Sequence, residues 1–319
     1  MSNSPEQTEP FRILSLDGGG AKGFYTVGIL SEIEAMTGKP LAECFDLIFG
    51  TSTGAIIAAL LGRGETVATV KSLYEQHVPT IMTGRKTAHR SAALRQLAAE
   101  VFQDQQCDVF KTNVGIVATN WYEERPFIFK TSVDQAHGPR ASFKPFFGCS
   151  VADAIIASCS ACPFFDRYTV KKSNGDVVEL ADGGFCANNP TLYAIADVVL
   201  ALKKQPGDLR VVSLGVGSYP PPPLFKQAGR VLRNWALMKF APASDFLQFV
   251  LGTNTNSMDQ LRRILFGSVP TIRISDTFAE PHMATDLLEH DLKKLNRLVQ
   301  KGRLSFAKHE TELKDFLVG

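Results

Sequence analysis

The sequence predicts an α/β fold of three layers, with helices on both faces of a mainly parallel sheet, and three observations carry that expectation. Apolar runs of strand length alternate with stretches of helical periodicity. Two of those runs end in glycine-rich turns that open directly into helices, at Asp17-Gly18-Gly19-Gly20-Ala21-Lys22-Gly23 and at Gly50-Thr51-Ser52-Thr53-Gly54. A third run ends at Asp182-Gly183-Gly184, ahead of another helix start. Parallel strands are built from such units, because the crossover between them needs the length of a helix.

Taken in order, a strand over 11–16 leads through the first glycine loop into a helix carrying Val27, Leu30 and Ile33 and reaching Met36. The apolar run 44–49 reads as the next strand and 55–61 as the helix after it. Helices follow over 67–77 and 92–102, then strands over 114–119 and 126–130. A helix over 151–161 precedes a strand over 177–181, and Asn189-Pro190 reads as cap and first residue of a helix over 191–202. A strand over 209–216 follows. From Leu224 the pattern is mostly helical, with one strand at 271–275. No linker divides the chain, Pro220 to Pro223 reads as a stiff loop within the fold, and no repeat is present.

Ser52 is the most informative residue. A serine on a sharp strand-to-helix turn has its hydroxyl thrust out of the backbone, and Gly50 and Gly54 remove the β-carbons that would clash where strand meets helix. The bland alternative, a serine in an ordinary turn, is countered by its company. The loop Gly18 to Gly23 leads into a helix with backbone amides turned outward, which suits developing negative charge. Gly18, Gly20 and Gly23 also fit the dinucleotide fingerprint G-x-G-x-x-G, but no ribose-binding acid ends a second strand at the required spacing, and Lys22 lies out of Walker register. An oxyanion hole is the better reading. Asp182 has the simple alternative of a turn after a strand; if its strand runs parallel to the other two, it emerges at the same sheet end as Ser52.

In this order the three elements resemble the patatin-like phospholipases, whose signature is an Asp-Gly-Gly-Gly loop, a G-x-S-x-G elbow and a later Asp-Gly-Gly or Asp-Gly-Ala. The resemblance implies Ser52 as nucleophile, Asp182 as its base and Gly18, Gly19 and Gly20 as the oxyanion loop, with residues 11–200 as the catalytic core and 201–319 completing the sheet and adding a helical, regulatory or membrane-facing segment. Thr119-Asn120-Trp121, Ala157-Ser158-Cys159-Ser160-Ala161, Cys186 to Tyr193 and Met283 to His290 carry a closer likeness to the cyclic-dinucleotide-activated phospholipases of bacterial antiphage (CBASS) defence. That likeness implies an activator such as cyclic GMP-AMP made by a partner nucleotidyltransferase, and a homo-oligomer as one way to switch on. The site for the activator is not fixed by the sequence; the basic run with Arg85, Lys86 and Arg90 is a candidate beside the simpler reading of a solvated loop.

Bulk properties bound the alternatives. With 34 basic and 32 acidic residues the chain offers no field for nucleic acid. Residues 1–10 are polar without an apolar core, and no apolar run approaches the ~18 residues of a spanning helix, so a cytoplasmic protein with peripheral contact at the inner membrane is expected. Six cysteines lie in apolar or strand-adjacent settings, as small buried residues of a reducing compartment do. Cys159 and Cys162 have C-x-x-C spacing but no second pair and lie at the end of a helix, which argues against a redox or metal site.

Serine hydrolases commonly use a histidine base held by an acid. None of the six histidines falls in a catalytic motif. In the patatin pattern the aspartate contacts the serine directly, so the site must raise its pKa, by desolvation against residues such as Phe164, Phe165 and Phe185. The rival is a Ser, Asp, His triad with His282; the dyad accounts for the glycine loop and for Asp182-Gly183-Gly184, and the triad does not. Attack by Ser52 would leave an oxyanion on amides of the loop and of Thr53, with no metal or other cofactor required. Lys22 either orients the loop, meets phosphate or is solvated. Finally, 224–240 reads as a basic amphipathic helix, with Lys226, Arg230 and Arg233 on one face and Trp235 at the apolar boundary, either packed on the domain or docked on anionic lipid. Two other classes stay open: a constitutive lipase or esterase, and a nucleotide-binding module with an inert serine.

Overall fold

The computed structural model describes residues 9–84, 86–137, 143–218, 243–278, 285 and 287–318. Among them eight strands form one mixed sheet: β1 (Phe11–Leu16), β2 (Leu47–Thr51), β3 (Asn113–Asn120), β4 (Arg125–Lys130), β5 (Tyr168–Lys171), β6 (Val177–Asp182), β7 (Leu209–Leu214) and β8 (Thr271–Ile274), in the order β5-β6-β3-β2-β1-β7-β8 with β4 also on β3. β1, β2, β3, β7 and β8 are mutually parallel, while β4 and β6 run against β3.

Helices cover both faces, which is why β1 and β2 read as near-continuous apolar runs. Adjacent residues feed opposite layers: Ile13 and Leu47 pack on one face with Val198 and Val211, Leu14 and Ile48 on the other with Phe24 and Leu60. The second face carries α1 (Gly23–Thr37), α3 (Thr53–Gly62), α4 (Val67–Thr83), α5 (Thr87–Phe102) and α6 (Val151–Ser158). Every residue of α3 is buried, so it shows no amphipathic stripe. α1 also packs on a helix near the end of the chain, α10 (Leu292–Ala307); a β-carbon on Gly28 would collide with the Val299 carbonyl, and one on Gly302 with that of Tyr25.

Several boundaries differ from expectation. Residues 41–44 form a short helix, α2 (Leu41–Cys44), so β2 starts at Leu47. α6 stops at Ser158, three residues early, because the chain there turns to bond the active-site strands. β5 carries no strong sequence signal. A four-residue helix, α7 (Gly184–Ala187), follows β6; Pro190 is the N-cap of α8 (Thr191–Ala196) and not its first residue, with Asn189 Oδ1 accepting the Thr191 amide at 3.1 Å, and α8 continues as a π turn, Asp197–Ala201. The expectation that β6 is parallel is overturned. β4 overlaps both β2 and β6 along β3, so those two share the opposite edge: β2 ends with Thr51 opposite Val117, and β6 ends with Asp182 opposite Ala118. Two strands running in opposite senses meet end to end.

Candidate active site

The meeting point is the site. Ser52 follows β2 directly with φ 53° and ψ −123°, a left-handed conformation that costs a serine of order 1–3 kcal/mol. The elbow closes only because its glycines are bare: a β-carbon on Gly50 would strike the Gly54 carbonyl, and one on Gly54 the Leu16 carbonyl. Gly23 and Gly183 allow similarly close approach, to Thr53 and to the Val117 carbonyl, and Gly184 lies against Leu251 and Asp182. The strained turn is held from behind. The Ser52 amide donates to Ser158 Oγ at 2.9 Å, and that hydroxyl in turn donates a hydrogen bond to the Val117 carbonyl at 2.6 Å.

Asp182 ends β6 with 2 % of its surface exposed. Its amide donates to the Ser160 carbonyl at 3.0 Å, and its Oδ1 accepts the Gly184 amide at 2.7 Å. Desolvation pushes the carboxyl up from 3.8 to about 6, opposed by hydrogen bonding from the Ser52 side chain and from that amide. A carboxylate of ordinary basicity thereby becomes a base matched to near-neutral pH. The Cys159 thiol lies beside both groups, and burial, reinforced by the Asp182 charge, pushes its own pKa well up. Residues 158–160 thus brace serine and aspartate together, a role the sequence did not reveal, since nothing local announces it.

The glycine loop needs one correction. The Gly18 amide is spent on the Asn188 carbonyl at 2.9 Å, so Gly18 is not an oxyanion donor; it permits the approach of Asn188 and Ser52. Ala21 likewise donates to the Leu287 carbonyl. Among the described residues no acceptor takes the amides of Gly19, Gly20 or Thr53, and these three line the cavity with Ser52 and Asp182. Gly20 has φ 56°, and a β-carbon there would collide with the Leu287 carbonyl. Asp17 anchors the loop through a buried two-point ion pair with Arg273 on β8, whose Nη1 reaches Oδ1 at 2.8 Å and whose Nη2 reaches Oδ2. Lys22 Nζ donates to Gln248 on α9 (Ala243–Leu265) at 2.8 Å, which orients the loop. The same helix grips the other side: Asn254 Oδ1 accepts the Asn188 amide, and Thr255 accepts from the Asn188 side chain at 2.7 Å.

From Ser52 an apolar cavity extends between α3, α4 and α5, with an empty volume of about 840 Å³ counted out to open solvent. Ile56, Leu60, Leu94, Leu97 and Val101 form its length; Phe164 and Phe165 line it, and Phe185 packs beside it with Leu247, Leu251 and Leu287. No histidine among the described residues lines it. His282 lies outside the described residues, as do Arg85, Lys226, Arg230, Arg233 and Trp235. Lys86 is exposed at the start of α5, and Arg90 lies against Phe164. All six cysteines are free thiols.

A mainly parallel sheet that delivers a strained serine, a desolvated aspartate and unspent amides to one end of an apolar cavity is the frame of a lipid acyl hydrolase, and the chain belongs to the patatin-like phospholipases, whose family description matches residues 14–195. It is 56% identical over 307 residues to a cUMP-AMP-activated phospholipase of Escherichia coli, covering 96% of this chain and 94% of that one. It is 31% identical to a cGAMP-activated phospholipase of Pseudomonas aeruginosa, covering 64% of this chain and 62% of that one. The solved structure of VipD from Legionella pneumophila covers 97% of this chain and 67% of its own with a TM-score of 0.51 at 13% identity, a likeness of fold alone.

Proposed function

We propose that this phospholipase cleaves membrane phospholipids through a Ser52–Asp182 dyad and is switched on by a cyclic dinucleotide, in antiphage defence by membrane degradation. The observation that carries the dyad is a single one: a buried carboxyl raised to about 6 beside the hydroxyl of a strained elbow at the end of an apolar cavity. Asp182 takes the Ser52 proton as Oγ attacks the ester carbonyl. The oxyanion accepts hydrogen bonds from the amides of Gly19, Gly20 and Thr53, each worth ~10²–10³ in kcat. Collapse expels the lysophospholipid alcohol, which takes the proton from Asp182. Water then attacks the acyl-serine, giving its proton to Asp182, and as the tetrahedral intermediate collapses Asp182 returns that proton to Ser52 Oγ and the fatty acid leaves. The apolar cavity suits the acyl chain.

No helix of the described residues is long and apolar enough to cross a membrane, so contact with lipid is read as peripheral. Phe246 and Phe249 support that reading, being 71% and 70% exposed on the helix whose Leu247 and Leu251 line the cavity. The E. coli relative is named for cUMP-AMP, which makes that nucleotide the first to try, ahead of the cyclic GMP-AMP expected from the sequence. Moving a resting population from 1:99 to 99:1 needs ~5.5 kcal/mol of preferential binding to the active state, and assembly of copies is one source of it.

The test is fatty-acid release from bacterial-lipid vesicles. Wild type is expected to react with fluorophosphonate and to turn over with cUMP-AMP but hardly at all without a nucleotide. Ser52→Ala and Asp182→Asn are expected to be inactive and folded, and His282→Ala active. Turnover by Ser52→Ala removes the nucleophile; an active Asp182→Asn with a dead His282→Ala installs the triad; full activity without any nucleotide, and no nucleotide binding, leaves a constitutive lipase.

A further inference from the structure

Helix α5 turns one stripe of side chains toward the cavity. Leu94, Leu97 and Val101 line it at successive turns, and the next residue back on that stripe, four positions before Leu94, is Arg90. Three apolar turns therefore end in a cation. Its guanidinium lies 5.6 Å from the centre of the Phe164 ring, and Phe164 is itself part of the cavity wall. The surroundings fix it there: the Thr87 hydroxyl donates to the Pro163 carbonyl at 2.9 Å, and the Asp166 amide donates to Ser91 Oγ at 2.8 Å, binding the start of α5 to the loop that carries Phe164 and Phe165.

Arg90 has no anion. Among the described residues no carboxylate pairs with it, and its buried Nε has no hydrogen-bond partner. Burial lowers its pKa with no acid to offset the loss. Arg63, Arg125, Arg167, Arg262, Arg273 and Arg303 each have a carboxylate partner, and half-buried Arg210, which has none among the described residues, donates instead to the Gly207 and Leu209 carbonyls. A half-buried cation without a counter-charge is costly unless a ligand supplies one.

Its level along the cavity says which ligand. Arg63, just past α3, donates to the Val101 carbonyl at 2.7 Å, so the far ends of α3 and α5 coincide. Ser52 precedes Arg63 by eleven residues, and Arg90 precedes Val101 by eleven. At 1.5 Å per residue each lies ~16 Å back along its own stretch of chain from that contact. Arg90 and Ser52 thus stand the same number of residues before that contact, and Phe164, on which Arg90 stacks, lines the cavity together with Ser52. A lipid with its ester at Ser52 and its acyl chain along Leu94 to Val101 would carry its phosphodiester at the Ser52 end of that stripe, the end on which Arg90 stands.

We infer that Arg90, stacked on Phe164, binds the phosphodiester of the phospholipid headgroup and so favours phospholipids over neutral esters. Guanidinium matches phosphate in charge and fork geometry, and the flat face left to Phe164 fixes its orientation. The inference rests on the phospholipase reading of the site, and it assigns Arg90 to substrate and not to the nucleotide activator, whose phosphates have the same chemistry.

The test uses the full chain with Ser52→Ala, so that nothing is turned over, and cUMP-AMP present. Binding of monomeric dihexanoylphosphatidylcholine and of dihexanoylglycerol is measured by calorimetry with Arg90 intact, with Arg90→Met and with Arg90→Lys. Arg90→Met, which keeps the packing and removes the charge, is expected to weaken the phosphatidylcholine Kd about 10-fold or more and the neutral lipid Kd less than 2-fold, as befits loss of a charged hydrogen bond. Arg90→Lys, which keeps the charge but neither the fork nor the stacking face, is expected to recover only part of the loss. With Ser52 restored, the ratio of kcat/KM on the phospholipid to that on p-nitrophenyl butyrate should fall in parallel. Equal phosphatidylcholine affinities with and without Arg90 overturn the inference. So does a change confined to cUMP-AMP affinity, which gives Arg90 to the activator. If no form with Ser52 releases fatty acid, the phospholipase reading fails, and the binding comparison still decides Arg90.

Discussion

Asp182→Asn should reveal the energetic cost of building a base from a carboxylate. In the wild type the Asp182 pKa is about 6 against an ordinary 3.8, roughly two units, and at ~1.4 kcal/mol per unit the shift is worth ~3 kcal/mol. The sign follows from linkage. A carboxyl that holds its proton more tightly when folded adds stability that is fully present below pH 3.8 and is lost as pH rises through about 6. Asparagine is nearly isosteric, can still accept the Gly184 amide and does not titrate. Urea unfolding of both proteins between pH 3 and 8 should show the variant gaining on the wild type by ~3 kcal/mol across that window, with the difference flat above pH 7. Other titrating groups cancel in the comparison. On a soluble ester, wild-type kcat/KM should rise with pH through a midpoint near 6, because only the carboxylate accepts the serine proton. Parallel stability curves, or an activity midpoint near 4, would refute the desolvated base.

Arg273→Met leaves the Asp17 carboxylate buried without its partner and should cost ~3–5 kcal/mol in urea unfolding, most of it recovered by adding Asp17→Asn; a loss below ~1 kcal/mol would mean the loop does not depend on that pair. Ser158→Ala removes the acceptor of the Ser52 amide, so the elbow can relax. Its kcat on a short ester should fall ~10²-fold with KM within about 2-fold, since small misplacements of a nucleophile cost that much. An unchanged kcat in a folded variant would make Ser158 a packing residue only.

What the sequence determined by itself is local. The Ser52 elbow was legible because bare glycines two residues either side answer a steric demand confined to five residues, and the alternation of strands and helices was legible because burial on both sheet faces leaves uninterrupted apolar runs. Boundaries slipped where side chains bond across the fold, as at Ser158. The tertiary structure alone decided that β6 runs against β3 and meets β2 end to end, since pairing register depends on strands far apart in sequence. It also decided that the Gly18 amide is already used by Asn188 while Gly19 and Gly20 line the cavity with amides that no described residue accepts, and that no carboxylate among the described residues pairs with Arg90. Hydrogen-bond partners, desolvation and charge pairing are properties of what surrounds a group, and for Asp182, Gly18 and Arg90 those surroundings come from segments scores of residues away or from another helix. Local sterics can be read from neighbouring letters; the environment that sets a pKa or leaves a donor unspent exists only once the chain has folded.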